Sequence, residues 1–174
     1  LSEEAKQANT IKRDMPIMCV IGNPPYSVNS SNKGIWIDNL LSDYKRDLNE
    51  QNIQPLSDDY IKFIRLAHHL IEKNGEGILG FITNNSYLDG IIHRQMRKSL
   101  FKTFNDIYVV DLHGSAKKLE VSPDGEIDSN VFDIQQGVSI VICVLSKKVQ
   151  PKRDKVFKHI DAWGSRKVKY EYLQ

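Results

Sequence analysis

An α/β fold built on a largely parallel sheet is the class this sequence predicts, and three observations predict it. Four short apolar runs (residues 17–21, 78–83, 107–112 and 138–145) have the length and β-branched content of strands buried on both faces. Segments with helical periodicity lie between most of them. Polar clusters at Asn23 to Tyr26, at Asn84-Asn85-Ser86 and at residues 111–114 fall at the carboxyl ends of the first three runs, where the chemistry of such sheets sits.

Taken in order, residues 2–13 read as a weak helix stopped before Pro16. The 17–21 run ends at Gly22-Asn23-Pro24-Pro25, where two prolines remove backbone donors and forbid further sheet or helix. A loop rich in Ser and Asn (27–34) leads to a helix from 35 to about 50. The clearest helix follows Pro55 and Ser57. There Tyr60, Phe63, Ile64, Ala67, Leu70 and Ile71 share one stripe, Asp58 and Asp59 occupy the first turn, and Gly75 ends it. After the second strand comes a basic helix (91–104) and then the third strand. Residues 113–130 carry Ser, Pro, Gly and charges without periodicity and predict a long loop. The 138–145 strand follows without an intervening helix and is expected to run antiparallel. Residues 156–160 are a candidate short fifth strand, and the pattern over 163–173 specifies no element.

With 174 residues the chain suits one compact domain. No apolar run approaches a membrane span, and the first residues are polar and acidic, unlike a signal peptide. Cys19 and Cys143 sit in apolar runs and read as small core residues of a reduced, intracellular protein. There is no paired-cysteine zinc spacing, and His68-His69 has no carboxylate or thiol at ligand spacing, so no metal is expected. The net charge of +2 names no partner, but residues 147–174 hold nine Lys or Arg against three Asp or Glu, an excess of six. Such a tail is either a solvated surface or a phosphate contact. The same two readings apply to His93, Arg94, Arg97, Lys98 and Lys102 on the basic helix.

Asn23-Pro24-Pro25-Tyr26 directly after a buried strand is the most specific signal. A plain proline turn is the bland reading. The chemical one starts from an exocyclic ring amine, whose lone pair is delocalised and poorly nucleophilic. The Asn23 side-chain carbonyl and the Pro24 backbone carbonyl can accept from its two N–H bonds and stabilise the positive charge that develops on nitrogen. The prolines hold these acceptors in place before reaction. Tyr26 offers a flat face for a base taken out of a duplex.

A strand followed by these four residues resembles the catalytic motif of amino-DNA methyltransferases, in the N6-adenine-specific class found in large single-chain restriction-modification enzymes. The resemblance extends through the helix at 60–75, the strand and polar cap at 77–88, the strand at 107–114, the segment Val131-Phe132-Asp133-Ile134-Gln135-Gln136-Gly137-Val138, and Asp161-Ala162-Trp163-Gly164-Ser165-Arg166. It implies a Rossmann-like S-adenosylmethionine-dependent methyltransferase sheet, mostly parallel with one antiparallel strand. It also implies that Asn23 and Pro24 accept from N6, that Pro25 stiffens the loop, and that Tyr26 and Phe132 stack on the two faces of the adenine. Asn84 and Asn85 line the site or cap the strand end. Double-stranded DNA is the implied partner and the cytoplasm the implied location.

The family binds S-adenosylmethionine through a Gly-rich turn and an acidic residue upstream of the catalytic motif, and 22 residues precede Asn23. The Gly75 to Gly80 stretch matches GxGxxG but ends a helix and enters a strand, the reverse of the required order. The expectation is therefore a partial domain over 1–174, with a core at 16–148 and a basic extension at 149–174. The main cofactor motif would be absent, and the first strand would be left as an apolar exposed edge. The cofactor-binding half and a target-recognition region of a parent polypeptide are the further expected partners, and the isolated chain is expected to be inactive. Two other readings stay open: methylation of a glutamine amide in translation release factors, which uses the same tetrapeptide, and a non-catalytic DNA-binding or assembly fragment. Cytosine N4 would favour Ser in place of Asn23.

Overall fold

The computed structural model describes residues 2–27, 29–147 and 154–174, so the boundary expected at 148–149 lies outside the described residues. Helix α1 (Glu3–Asp14) is capped by the Ser2 hydroxyl, which accepts from the Ala5 N–H at 3.4 Å. Strand β1 (Cys19–Gly22) leads into the proline loop. Helix α2 (Ile35–Lys45) stops short of the expected end near residue 50, because Asp47 takes a positive φ of 56° that no helix continues through. Helix α3 (Asp59–Asn74) ends at Gly75, whose N–H donates to the Ile71 and Glu72 carbonyls. Strand β2 (Gly77–Asn84), the one-turn helix α4 (Ser86–Asp89) and helix α5 (Arg94–Thr103) follow. Strands β3 (Asp106–Asp111), β4 (Val138–Leu145) and β5 (Val156–Asp161), then helix α6 (Arg166–Tyr172), complete the chain.

The five strands form one sheet in the order β1-β2-β4-β3-β5. β1 is parallel to β2 and β3 is parallel to β5, while β4 lies between β2 and β3 and runs antiparallel to both. This is the Rossmann-like sheet with a single reversed strand that the sequence predicts. The candidate fifth strand is real, and the unassigned terminal segment contains α6.

Alternation along the strands sorts the side chains onto two faces. Leu79, Phe81, Val109, Val141 and Cys143 point into a core closed by Leu41 and Tyr44 of α2, Ile61, Ile64 and Ile71 of α3, and Met96 and Leu100 of α5. Each such fully buried side chain contributes about 1.5–3 kcal/mol. On the opposite face a second cluster joins Leu112, Val131, Val138 and Ala162 to Ile82, Val110 and Ile140. The rest of that face is open: Ile21, Ile78 and Ile142 are exposed. Burial of the first apolar run on both faces therefore does not hold. β1 has one neighbour, its outer edge meets no strand among the described residues, and Ile21 is 77% exposed. For the same reason Cys19 is exposed rather than a core residue, whereas Cys143 is buried and its thiol is pushed up to about 12 by burial. Phe63, expected on the core stripe of α3, is also exposed, at the margin of the buried arc.

A buried polar chain ties the three covering helices together. The Tyr44 hydroxyl lies 3.0 Å from His68 Nδ1, and His68 Nε2 lies 2.8 Å from the Thr103 hydroxyl. Neutral imidazole suits this place, since one ring nitrogen donates while the other accepts. Burial, helped by the nearby Arg65 cation, lowers the His68 pKa to about 3. In the unfolded chain an imidazole titrates near its ordinary value of about 6.5, so on acidification the unfolded chain takes up the proton first. The stabilisation is full above that pH and is lost as pH falls toward the folded value. Lowering the pH from 7 to 5 should cost about 2 kcal/mol through this residue. Urea unfolding of the native chain and of His68→Gln at both pH values reads the difference, and an equal pH dependence in the two proteins would contradict it.

Candidate active site

The proline loop leaves the carboxyl end of β1 with Asn23 and Pro25 exposed, Pro24 buried and Tyr26 half-buried. The Asn23 side chain is thus open to solvent at the tip of the strand. The Tyr26 ring sits edge-on to Tyr60 of α3, with centroids 6.1 Å apart and planes at 84°. Its hydroxyl is buried and has no hydrogen-bond partner among the described residues, and burial, with the Asp58 carboxylate nearby, pushes the phenol up to about 12. Tyr26 is therefore a neutral ring at any physiological pH.

The start of α3 holds this loop. The Ser27 N–H donates to Asp58 Oδ1 at 2.7 Å, and the Asp59 N–H donates to the Ser27 carbonyl at 3.2 Å. Further along, the Ser30 hydroxyl and the Asn32 amide donate to Asp59 Oδ1 at 2.5 and 3.0 Å. The buried Lys62 ammonium closes the set, donating to Ser30 Oγ at 2.8 Å and to the Asn32 carbonyl at 2.5 Å. Burial raises the Asp58 carboxyl above its ordinary value, and the backbone donors from Ser27 and Tyr60 oppose that shift. The acidic first turn of α3, which the sequence offers as dipole compensation, is thus also a cradle for the proline loop and the segment after it.

Tyr26 and Asp58 form one side of a cleft of about 370 Å³, within the range of small-ligand sites. Asn84, Asn85 and Ser86 form its floor at the end of β2. Asn84 Oδ1 accepts from the Ser86 N–H at 2.8 Å, turning the chain into α4. Asn85 Nδ2 donates to Asp111 Oδ1 at 2.9 Å, and the Asn85 N–H donates to the Gly137 carbonyl at 2.9 Å. A Cβ on Gly137 would stand 2.6 Å from both polar atoms of the Asn85 side chain, so only glycine allows this approach. Ser115, Lys117, Lys118 and Gln136 supply the far wall.

The site residues anticipated from sequence divide into two groups. Asn84, Asn85 and Tyr26 meet at the cleft, with Asn23, Pro24 and Pro25 immediately before Tyr26 in the loop. Phe132 does not line the cleft; it is half-buried against the second apolar cluster, its N–H donating to Asn130 Oδ1 at 2.8 Å. The basic helix is placed differently from the phosphate-contact reading. Arg94 is ion-paired with Glu50, whose carboxyl that hydrogen bond holds low. Arg97 donates to the Tyr87 and Gly90 carbonyls, both at 2.8 Å, and so pins α4 to α5. Arg97 and Lys98 border an apolar hollow of about 500 Å³ over β3 and β5, larger than the cleft but lined mainly by side chains such as Leu100, Ile107 and Phe157. It offers no group suited to the chemistry. The cations at the cleft are instead Lys117, exposed, and Lys118, bonded to Asp89 at 2.9 Å. Both lie in the aperiodic loop, where charge alone did not distinguish them.

Asp111, His159 and Asp161 bring three potential metal-ligating atoms within 4.8 Å of one another. Asp111 Oδ1 already accepts from Asn85 and from the His113 N–H, and Asp161 Oδ1 lies 2.9 Å from His113 Nε2. These groups are the scaffold between the ends of β3 and β5. The Gly75 to Gly80 stretch does not fit a cofactor cradle: Gly75 caps α3, and the space beside Gly77 is filled by the Met18 carbonyl. Toward β1 the strip leading to Asn23 is exposed along the unpaired edge.

The structure thus joins a reversed-strand α/β sheet to a proline loop at the end of β1 and a polar cleft beside it. The chain belongs to the Eco57I restriction-modification methylase family, whose sequence profile matches residues 1–118. A Methanocaldococcus jannaschii protein assigned as a type II restriction enzyme and methyltransferase is 27% identical over 155 residues, which is 88% of this chain and 10% of that protein. Among solved structures, the ATP-dependent Type ISP restriction-modification enzyme LlaBIII bound to DNA superposes with a TM-score of 0.82 at 28% identity, covering 98% of this chain and 12% of its own. A DrdV–DNA complex gives 0.79 at 28% identity over 98% of this chain and 17% of its own. A nuclease-deletion mutant of the Type ISP enzyme LlaGI, in complex with a DNA substrate mimic, gives 0.79 at 25% identity, with shares of 97% and 17%. The chain therefore spans a small part of each relative. No described helix is long and apolar enough to cross a membrane.

The cradle at α3 makes a direct prediction. Lys62→Met should leave the Ser30 hydroxyl and the Asn32 carbonyl without their donor and cost about 1–3 kcal/mol, seen as a lower urea midpoint. An unchanged midpoint would mean that the Lys62 contacts do not hold the loop.

Proposed function

We propose that this chain carries the acceptor side of methyl transfer to N6 of an adenine turned out of DNA, within a restriction-modification enzyme. The observation that carries this reading is the loop at the end of β1: an exposed Asn23 and two prolines leading to Tyr26 in a cleft also lined by Asn84 and Asn85. When bound, S-adenosylmethionine supplies an electrophilic methyl group. Everything else falls to residues of this chain. Asn23 Oδ1 and the Pro24 carbonyl accept the two N–H bonds of the amine, localise its lone pair and stabilise the charge that grows on nitrogen. Pro24 and Pro25 remove the reorganisation that this would otherwise require. Tyr26, uncharged and set edge-on against Tyr60, presents a ring face on which the base can stack. Phe132 would have to leave its contacts in the second cluster to meet the other face.

Lys117, exposed at the cleft rim, and Lys118 beside it suit a phosphate backbone better than an isolated protein side chain as substrate. The donor-binding strands are assigned to sequence upstream of Leu1, in keeping with the exposed β1 edge and the small share of each relative that this chain spans. On that assignment the isolated 174-residue chain transfers no methyl group.

The test is a polypeptide extended upstream of Leu1, incubated with methyl-labelled S-adenosylmethionine and mixed-sequence duplex DNA that is then digested to nucleosides. Label should appear in N6-methyladenine and fall by about 10²–10³ in Asn23→Ala. Label in N4-methylcytosine would move the target base. No label in DNA, with transfer to a release-factor glutamine, would replace the substrate class.

A further inference from the structure

Residues 113–137 form a wall of the cleft with almost no regular structure, and the last helix holds that wall from behind. Lys169 of α6 is fully buried, and its ammonium donates to the Leu112 carbonyl at 2.6 Å, to the Asp128 carboxylate at 2.8 Å and to the Ser129 carbonyl at 2.7 Å. All three of its protons are thereby used. Asp128 also accepts from the Gly164 N–H at 2.8 Å, and the Ser129 N–H donates to the Gly164 carbonyl at 3.0 Å. Arg166 donates to the Asn130 carbonyl at 2.9 Å, and the Tyr170 hydroxyl to the Val131 carbonyl at 2.8 Å. At the other end of the wall the His113 ring stacks on Trp163, with centroids 3.4 Å apart and planes at 12°.

Asn130 carries this hold into the cleft. Its amide donates to the Gly114 carbonyl at 2.9 Å and to the Gln136 carbonyl at 2.7 Å, drawing the two ends of the wall together. Gly114 takes φ 79°, and a Cβ there would stand 2.5 Å from Asn130 Cα, so the closure is tight. Ser115 and Gln136, the neighbours of these contacts, line the cleft.

We infer that Lys169 is a positioning residue for the cleft: by fixing residues 128–130 it fixes, through Asn130, both ends of the wall that faces Tyr26. Its role is to hold the wall in place before substrate arrives, which spares the cost of ordering it on binding. The positioning stands on the contacts alone; its effect on turnover rests on the adenine-methylation reading.

Two measurements on the intact polypeptide separate these layers. By hydrogen–deuterium exchange, Lys169→Met should speed amide exchange at least tenfold in residues 113–118 and 134–138, leaving α3 and β2 unchanged, with Lys169→Arg closer to the native pattern. In methyl transfer to mixed-sequence duplex DNA, Lys169→Met should raise KM for DNA about tenfold or more, with a smaller change in kcat and an unchanged Kd for S-adenosylmethionine. Native exchange rates in a folded Lys169→Met protein would overturn the inference, as would faster exchange with an unaltered KM. Faster exchange in a polypeptide that methylates no DNA even when native would leave the positioning in place and sink the substrate reading. If Lys169→Met does not fold, Arg166→Ala, at a half-exposed site, should speed exchange in the same segments by about threefold, and no change there would equally overturn it.

Discussion

The reversal of β4 is the constraint on which the site depends. β4 is inserted between β2 and β3 and runs opposite to both, so its first residue, Val138, lies beside Asn84 and its second, Ser139, beside Asp111. The chain leaves β3 at the carboxyl end of the sheet and must re-enter at that same end. A parallel strand there would have required a crossover to the far end, usually through a helix. The segment between β3 and β4 is thus committed to the end of the sheet where the proline loop emerges. It becomes a wall of the cleft without any helix or strand of its own.

That arrangement leaves two irregular segments facing each other, and each is held by a helix terminus or face rather than by sheet pairing. The first turn of α3 holds the proline loop and the segment after it through Asp58, Asp59 and Lys62. α6 holds the opposite wall through Lys169, Arg166 and Tyr170. Asn85 bridges the two sides with its bonds to Asp111 and Gly137. Buried polar groups would be costly if left unpaired, and Asp59, Lys62, Asn85 and Lys169 use theirs to place the segments around the cleft. The unpartnered Tyr26 hydroxyl is an exception, at the position where a base is expected to stack.

Most of the sheet was legible in the sequence because strand signals are short apolar runs and helix signals are stripes, and both follow from local periodicity. The loop after β1 was legible because two prolines after such a run restrict the backbone so strongly. The order of strands, with β4 central rather than at an edge, is a property of pairing and leaves no local trace. Exposure of Cys19 and Ile21 escaped the periodicity argument for a related reason: an apolar run states what a strand can bury, and its neighbours decide what it does bury. Arg94 and Arg97 show the same limit for charge, since their partners Glu50 and the Tyr87 carbonyl are brought close only by the fold. Asp58, Asp59 and Lys62 were visible as helix-start residues, while their second task depends on a loop that folds back across some thirty positions.

The burial of Lys169 against Asp128 also bears on the order in which this protein is made. Synthesis proceeds from the amino terminus, and segments fold as they become available. The helices on the main core face and the four strands that they cover precede α6 in the chain and share a core that does not include it. The Asp128 side chain, by contrast, is buried against the Lys169 ammonium of α6, and a buried carboxylate without a partner cation is strongly disfavoured. A chain ending before residue 169 would therefore keep every residue of the main core and lack the cation against which the Asp128 side chain is buried.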